Sequence, residues 1–562
     1  MNKKRILFML TGLIVVTAVI ALFLAPWFKS ADPSRSVFIN QWGFLPHQNK
    51  IAVLFADSTK PFTVTELKTN QPVMKSKTTP TETWALAGQP VSRADLTGVT
   101  EPGEYRLNIK GAEPVFFSIS TNPYGALHDA AIKAFYYARA GLALDPAFAG
   151  KWHRSAGHAD TSVQRINSTS GNTTAHRKGW YDAGDYNKYM VNSGITTYTL
   201  MRAYLDHPDF YTNRYWNIPE SMNERPDILD EIMWNLDWMV SMQDTDGGVY
   251  HKLTTLNFAG PVMPDAAVAQ RYTTAKSTAA TLNFAAVMAV AARLFEEQSE
   301  MYLERASRAL AWAQDNPQQY YRNEERVSTG EYGDTALTDE HNWANIEYAI
   351  SSQNQAMLVR SIKQLADVSV PSWASTTGLS YLSLLRDARA LLPASAYEKL
   401  KRAFSGHADQ LVTIQQNNAF RIPAIADDFV WGSNAVMMNK AMLLEVAWSL
   451  DNQRAYRDAS LALVDYISGR NPTGYSFVTG FGKQSPRFIH HRPSEADGIA
   501  DPVPGWLAGG PQNGHQDNCQ YPSDLPALSY LDAWCSYSTN EVAINWNAPL
   551  VYVLGSIVAD PL

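Results

Sequence analysis

Cysteine is almost absent from this chain: Cys519 and Cys535 are the only two in 562 residues. They form no CxxC pair, which excludes zinc ribbons and dithiol redox motifs built on that spacing. Whether the two are bonded to each other stays open, and a bond would call for an oxidising compartment. Clustered positive charge is also missing. The net charge is −7, and no basic block follows the first five residues. Phosphate backbones are gripped by grouped Lys and Arg, so nucleic acid is excluded as a partner. No glycine-rich loop leads into a helix as a phosphate cradle would. No short-period repeat is visible.

What is present describes a globular protein with a sizeable core: 45% hydrophobic, 11% aromatic and 18% charged residues. The 16 Trp and 27 Tyr either fill that core or offer flat faces to sugar rings, and composition does not separate the two. A chain of 562 residues predicts two domains, one of them large. Lys3, Lys4 and Arg5 precede an uncharged apolar run at 6–28. Basic-then-apolar is the pattern of an export signal. The run is 23 residues, longer than the roughly 7–15 of a signal core and long enough to span a bilayer. Residues 1–30 therefore read as a signal peptide or as a membrane anchor. Either way the protein is exported, to the periplasm or beyond, with anchoring through 6–28 as one alternative.

Runs such as KIAVLF, FTVTEL and GEYRLNI, separated by turn-formers, predict a small immunoglobulin-like β-sandwich over residues 36–121. From residue 123 to 562 the apolar period becomes helical. Roughly twelve helices are expected, including single helices at 345–365 and 396–404. Long loops rich in Gly, Pro, Trp and His lie between them, and ordered loops of that length are usually functional. A barrel of paired helices fits this pattern, as does an irregular bundle.

Three loops combine carboxylates with His, Arg or Trp. In GWYDAGDYNKYM (179–190), Asp182 and Asp185 flank a flexible Ala-Gly. The plainer reading makes Asp185 a helix cap. The segment at 476–498 offers His490, His491 and Arg492. Paired histidines suit a metal, yet no HExxH or Cys partner accompanies them, and His and Arg can instead donate to hydroxyls. In the segment at 530–555, Glu541 follows Asn540 at the start of an apolar run, where a first-turn Glu would suit the helix dipole. Together they supply what glycoside hydrolysis needs: a protonated acid for the leaving oxygen and an ionised carboxylate for water or for direct attack.

At this point the residues match a known family. The chain resembles family 9 glycoside hydrolases, the endoglucanase and cellodextrinase group, in the subset with an N-terminal immunoglobulin-like module. The motif Ser476-x-Val478-Thr479-x-x-Gly482 leads to His490-x-Arg492, departing from the family only at Gln484. The motif Tyr530-x-Asp532-x4-Tyr537-x3-Glu541-x-Ala543-x3-Asn547-Ala548 is unbroken. INQWGFLP (39–46) looks like the opening strand of the module. The segment at 224–252, ending in VYHK, looks like the helix and loop that come after the base motif in this subset.

The resemblance implies a mainly α protein, an (α/α)6 barrel behind a small all-β sandwich, and inversion at the anomeric carbon. It implies Asp185 as general base, Asp182 holding the water, and Glu541 as general acid. It places His490, Arg492, Asp532, Trp431, Trp546 and His251 as substrate-binding residues. GDTALTDEHNWA (333–344) resembles the calcium loop of many members, so Asp334, Asp339 and Glu340 are candidate ligands, and oxygen donors suit calcium. Some relatives hold zinc through Cys and His; this chain has His153, His158 and His176 there but no Cys, so zinc is not expected. The implied partner is a β-1,4-glucan or its oligosaccharides, and a monomer is expected. Exo-acting β-glucosidase or exo-β-glucosaminidase activity is an alternative, and so is a carbohydrate-binding protein without catalysis. No separate cellulose-binding module is visible.

Overall fold

The computed structural model describes residues 37–168 and 171–561. The segment at 1–30, with its signal or anchor pattern, lies outside them. Among the described residues no helix is long and apolar enough to cross a membrane.

Eight strands come first: β1 (Val37–Phe38), β2 (Ile51–Phe55), β3 (Pro61–Glu66), β4 (Pro72–Lys77), β5 (Glu82–Trp84), β6 (Gln89–Asp95), β7 (Gly103–Ile109) and β8 (Val115–Ile119). They form two four-stranded sheets, β1-β2-β6-β5 and β4-β3-β7-β8. The β2 sequence IAVLF is apolar throughout because both of its faces are covered. Ala52 and Leu54 point into the sandwich core with Phe62, Val64 and Leu107. Val53 and Phe55, one residue out of phase, join the core of the helical domain. Trp84 extends that contact, its ring 4.8 Å from Phe420.

INQWGFLP is not a strand. After β1 the chain bends, and only Phe44 bridges to Ile119. The bend turns Gln41 and Trp42 onto the first signature loop. Gln41 Oε1 accepts from the Lys483 and Gln484 amides at 2.8 and 3.1 Å, and its Nε2 donates to the Gly474 carbonyl at 2.8 Å. Trp42 Nε1 donates to Ser476 Oγ at 2.9 Å. Gln41→Ala should therefore lower unfolding free energy by about 1–2 kcal/mol, since three half-exposed backbone groups lose their partner. Denaturant unfolding reads this, and an unchanged midpoint would show the clamp to be idle.

Twelve helices of seven or more residues follow among the described residues: α1 (Gly125–Ala138), α2 (Met190–Asp206), α3 (Asp227–Ser241), α4 (Thr278–Leu294), α5 (Ser299–Asp315), α6 (Thr338–Ser351), α7 (Gln355–Ser361), α8 (Thr377–Asp387), α9 (Ala394–Asn417), α10 (Ser433–Asp451), α11 (Arg454–Ile467) and α12 (Ile544–Ala559). The even-numbered members α2, α4, α6, α8, α10 and α12 touch in sequence, and α12 returns to α2, closing an inner ring. The odd-numbered helices pack outside, as α5 does on α4 and α11 on α10. This is an (α/α)6 barrel. Inner helices are buried almost all round, which is why α2 and α4 read as continuous small and apolar residues.

The single helix expected over 345–365 breaks in two. Gln353 takes a left-handed backbone (φ 55°), and the Asn354 side chain caps α7 by accepting from the Met357 amide. The helix expected over 396–404 runs much longer, as α9.

Candidate active site

The DAGD segment enters β9 (Lys188–Tyr189), a two-residue strand that leads directly into α2. Asp185 does not cap that helix. Its carboxylate accepts from Asn187 Nδ2 at 2.5 Å and from Tyr189 Oη at 3.0 Å. Asp182 accepts from Asn192 Nδ2 at 3.0 Å and from Tyr332 Oη at 3.1 Å. Both aspartates are buried, at 1% and 5% exposure for Asp182 and Asp185.

Glu541 does not begin a helix either. It sits in extended backbone (φ −71°, ψ 162°) between the short turn Tyr537–Asn540 and α12. Its Oε1 accepts from the Gly184 amide at 3.3 Å. Gly184 also receives the Arg492 amide on its carbonyl at 3.1 Å, and Arg492 Nη1 at 2.7 Å. His490 donates its amide to the Asn540 carbonyl at 3.0 Å. A Cβ at Gly184 would lie 2.0 Å from the His490 carbonyl and 3.1 Å from Glu541 Oε1, so only glycine lets the segments meet. The three loops singled out in sequence thus converge on one glycine, with Asp185 next to it.

Burial pushes Glu541 well above the ordinary carboxyl range, and the negative charge of Asp185 adds to this; Arg492 and the Gly184 amide oppose it. Burial, then Asp185, also raises Asp182. Three carboxyls at one point cannot all ionise cheaply. The site therefore sets Glu541, its pKa raised, beside Asp185, two carboxyls of the kind that acid–base hydrolysis requires.

The remaining candidates divide. His490 stacks on Trp534, centroids 4.3 Å apart, and Nδ1 donates to the Trp534 carbonyl at 2.7 Å, fixing the tautomer. Burial lowers its pKa, so the ring is neutral. Trp431 is 41% exposed and lies against Tyr537, 5.4 Å between centroids. Trp546 is half-buried against Gly432, where a Cβ would sit 2.8 Å from its Nε1.

Three of the substrate-binding candidates make hydrogen bonds within the protein. His251 is fully buried, with Nε2 donating to the Glu331 carbonyl at 2.9 Å and Nδ1 bonded to Ser277 Oγ at 2.8 Å. It is a core histidine stacked on Tyr321. Asp532 accepts from the Arg487 and Phe488 amides and from Asn540 Nδ2, so it braces the loop before His490. Arg492 uses Nε on the Ala259 carbonyl and Nη1 on the Gly184 carbonyl, so it braces the turn that carries Asp185.

Cys519 and Cys535 are bonded, Cα atoms 6.2 Å apart. The same loop carries Asp517, which accepts from the Ser538 amide and hydroxyl at 3.0 and 2.6 Å and so anchors the turn before Glu541. His158 and His176 are hydrogen-bonded inside the protein through both ring nitrogens. His153 is exposed.

Near Glu340 the charge is unbalanced. Both of its buried oxygens and Asp334 Oδ2 lack a hydrogen-bond partner. Burial first, then Asp339 and Asp334, push its carboxyl up to about 10. Asp339 Oδ2 accepts from the Thr376 amide at 2.7 Å. Among the described residues no set of three or more His, Cys, Asp or Glu side chains is gathered as a metal site.

Known proteins agree with this geometry. The glycosyl hydrolase family 9 model matches residues 124–554. The chain belongs to glycosyl hydrolase family 9. The model of the cellulase N-terminal ig-like domain matches residues 32–114. A xyloglucan-specific endo-beta-1,4-glucanase of Bacteroides ovatus is 39% identical, over 94% of this chain and 95% of its own length. Endoglucanase D of Acetivibrio thermocellus is 32% identical, over 92% and 83%. A solved Bacteroides ovatus family 9 structure superposes with TM-score 0.88 at 38% identity, covering 94% of this chain and 99% of that one.

Sequence reasoning missed Asn187, Tyr189 and Tyr332, which hold the family 9 aspartates. Asn187 and Tyr189 sit inside the DAGDYNKY string and could have been read as donors. Tyr332 lies 150 residues from Asp182 and carried no signal of its own.

Proposed function

We propose that this family 9 hydrolase is an inverting endo-β-1,4-glucanase, with Glu541 as general acid and Asp185 as general base. The observation that carries the reading is Glu541, held protonated by burial and by Asp185, against the glycine that precedes Asp185. Glu541 gives its proton to the leaving glycosidic oxygen. Asp185, aimed by Asn187 and Tyr189, takes a proton from water attacking the opposite face of the sugar. Asp182, held by Asn192 and Tyr332, orients that water. Trp431 and Phe488, 41% and 58% exposed, offer stacking faces for pyranose rings. Endo action and a glucan backbone are supported by the Bacteroides and Acetivibrio relatives.

Inversion of a β-linkage releases α-configured reducing ends. Proton NMR of fresh hydrolysate should show the α-anomer first; a β-anomer would overturn the assignment of Asp185 as base. Product profiles on cello-oligosaccharides, xyloglucan and chitosan oligosaccharides distinguish endo-glucanase from exo-glucosidase or glucosaminidase action.

We further infer that a calcium ion, when bound, would draw together Asp334, Asp339 and Glu340, which are not gathered as a metal site without it. What supports this is electrostatic: buried carboxylate oxygens without partners fit a hard cation. The ion would neutralise those charges and lock the start of α6. Chelation should lower Tm before it changes kcat, because a cation bound only by the folded state stabilises it by mass action. An unchanged melting curve after elemental analysis confirms metal removal would dismiss the site. Export is supported by the bonded Cys519–Cys535 pair, which suits an oxidising compartment.

A further inference from the structure

Lys252 is fully buried, and the reading of Glu541 and Asp185 as acid and base gives it no role so far. It lies on β10 (Lys252–Thr254), which runs antiparallel to β9 with Lys252 opposite Tyr189. Its ammonium donates to Gly330 O at 2.6 Å, Asn323 Oδ1 at 2.7 Å, and Thr329 Oγ1 and O at 3.1 and 3.4 Å. All of these are neutral oxygens. A buried cation hydrogen-bonded only to neutral groups is costly, and is kept where its field or its geometry is used.

Three of its neighbours, Tyr189, Thr329 and Gly330, lead towards a catalytic carboxyl. The ammonium lies 5.6 Å from the ring centre of Tyr189, whose hydroxyl donates to Asp185. Thr329 Oγ1 is 2.7 Å from Thr254 Oγ1, which donates to Asn187 Oδ1 at 3.1 Å, and the same amide gives its Nδ2 to Asp185. Gly330 fixes the turn that brings Tyr332 to Asp182, and Tyr332 sits there in a left-handed backbone (φ 49°) that needs outside support. The charged neighbours of Lys252 are Asp185, Glu324 and Glu331. Glu331 is bonded to Arg322 and the Asn323 amide, and Glu324 to Tyr321 and the Ala275 amide. His251, the preceding residue, is neutral, its pKa lowered to about 3 by burial. On its other side Asp185 faces Asp182 and Glu541, with Arg492 beyond.

We propose that Lys252 is a positioning residue for the hydrolytic base: its buried ammonium supplies the positive charge facing Asp185 and clamps the Asn187 and Tyr189 donors that aim it. This rests on the reading of Asp185 as base. Asp185 favours the charged form of Lys252, but burial outweighs it and the Lys252 pKa falls to about 7.

The test compares pH profiles of Lys252→Met, Lys252→Arg and Thr329→Val on a soluble β-glucan, after the wild type is shown to hydrolyse it. Lys252→Met should lose roughly tenfold or more of kcat on the acid side of the optimum, less on the alkaline side, with KM little changed. Lys252→Arg should restore the acid limb. Thr329→Val keeps the charge and cuts the link to Thr254, so kcat should fall without movement of the limb. If Lys252→Met does not fold, carbon-13 NMR titration of the Asp185 carboxyl in Lys252→Arg and the wild type replaces it. Superimposable titrations in the wild type above and below the pH at which Lys252 loses its charge, with no second inflection of the Asp185 signal in either protein, overturn the charge role. An Asp185 signal that responds when residue 252 deprotonates in the wild type but not in Lys252→Arg supports it. A folded Lys252→Met whose acid limb stays in place, with only Tm lowered, overturns the proposal too. An inactive wild type would instead count against the glucanase reading, leaving the NMR titration to decide the role of Lys252.

Discussion

Asp185→Ala should abolish hydrolysis of every β-glucan tested, with a loss at the upper end of the roughly 10²–10⁴-fold that general base catalysis contributes. The carboxylate is the group to which Asn187 Nδ2 and Tyr189 Oη converge, so its removal leaves two buried donors facing a gap that water alone fills. Asp182→Ala should differ in kind. Its carboxyl is the more deeply buried of the two and is held by Asn192 and Tyr332, and burial raises its pKa. Loss of orientation leaves the base in place, so a small residual rate should survive. The two variants also differ under rescue. A small anion such as azide, entering the space vacated in Asp185→Ala, can attack directly and needs no base. An α-configured glycosyl azide should form from an activated substrate. A covalent glycosyl group trapped on Asp185 in the wild type would mean that this residue attacks the sugar itself.

The parts of this site legible in the sequence are those written as contiguous strings. Asp182, Asp185, His490, Arg492 and Glu541 each stand in a motif whose neighbours repeat a pattern, and the structure brings all three strings to Gly184. Residue type within a string was a poorer guide to what the side chain touches. His251, Asp532 and Arg492 are polar and stand in signature segments, yet each makes hydrogen bonds to backbone. A donor or acceptor in a motif can serve the loop as readily as the substrate, and only the location of its partners decides. Tyr332 and Lys252 were illegible for the opposite reason. They reach the aspartates across folded space, through a left-handed turn and a two-residue strand pairing that no periodicity announces.

The architecture followed the same rule. Buried inner helices and two-faced strands print their environment on the sequence, so the sandwich and the twelve helices could be anticipated. The bend at Gln41–Trp42 could not. INQWGFLP has the composition of a strand, but Gln41 and Trp42 pair with residues more than 430 positions away.

Glu541→Gln should separate substrates by their leaving groups. The amide keeps the size of the acid and can still accept from the Gly184 amide, so the fold should be unaffected. What is lost is the proton. Cello-oligosaccharides, whose departing alkoxide is a poor leaving group, should slow by roughly 10²–10⁴-fold, while activated aryl glycosides should slow far less. The pH profile provides an independent check. Burial and the Asp185 charge raise the pKa of Glu541, so the wild type keeps its acid protonated to higher pH than an ordinary carboxyl would, and loses rate as pH rises through that raised value. In Glu541→Gln there is nothing left to deprotonate, so the alkaline fall should vanish for aryl substrates while the acid limb, set by the base, remains. Equal losses on both substrate classes, or an alkaline limb that persists in the variant, would show that the leaving-group proton comes from elsewhere.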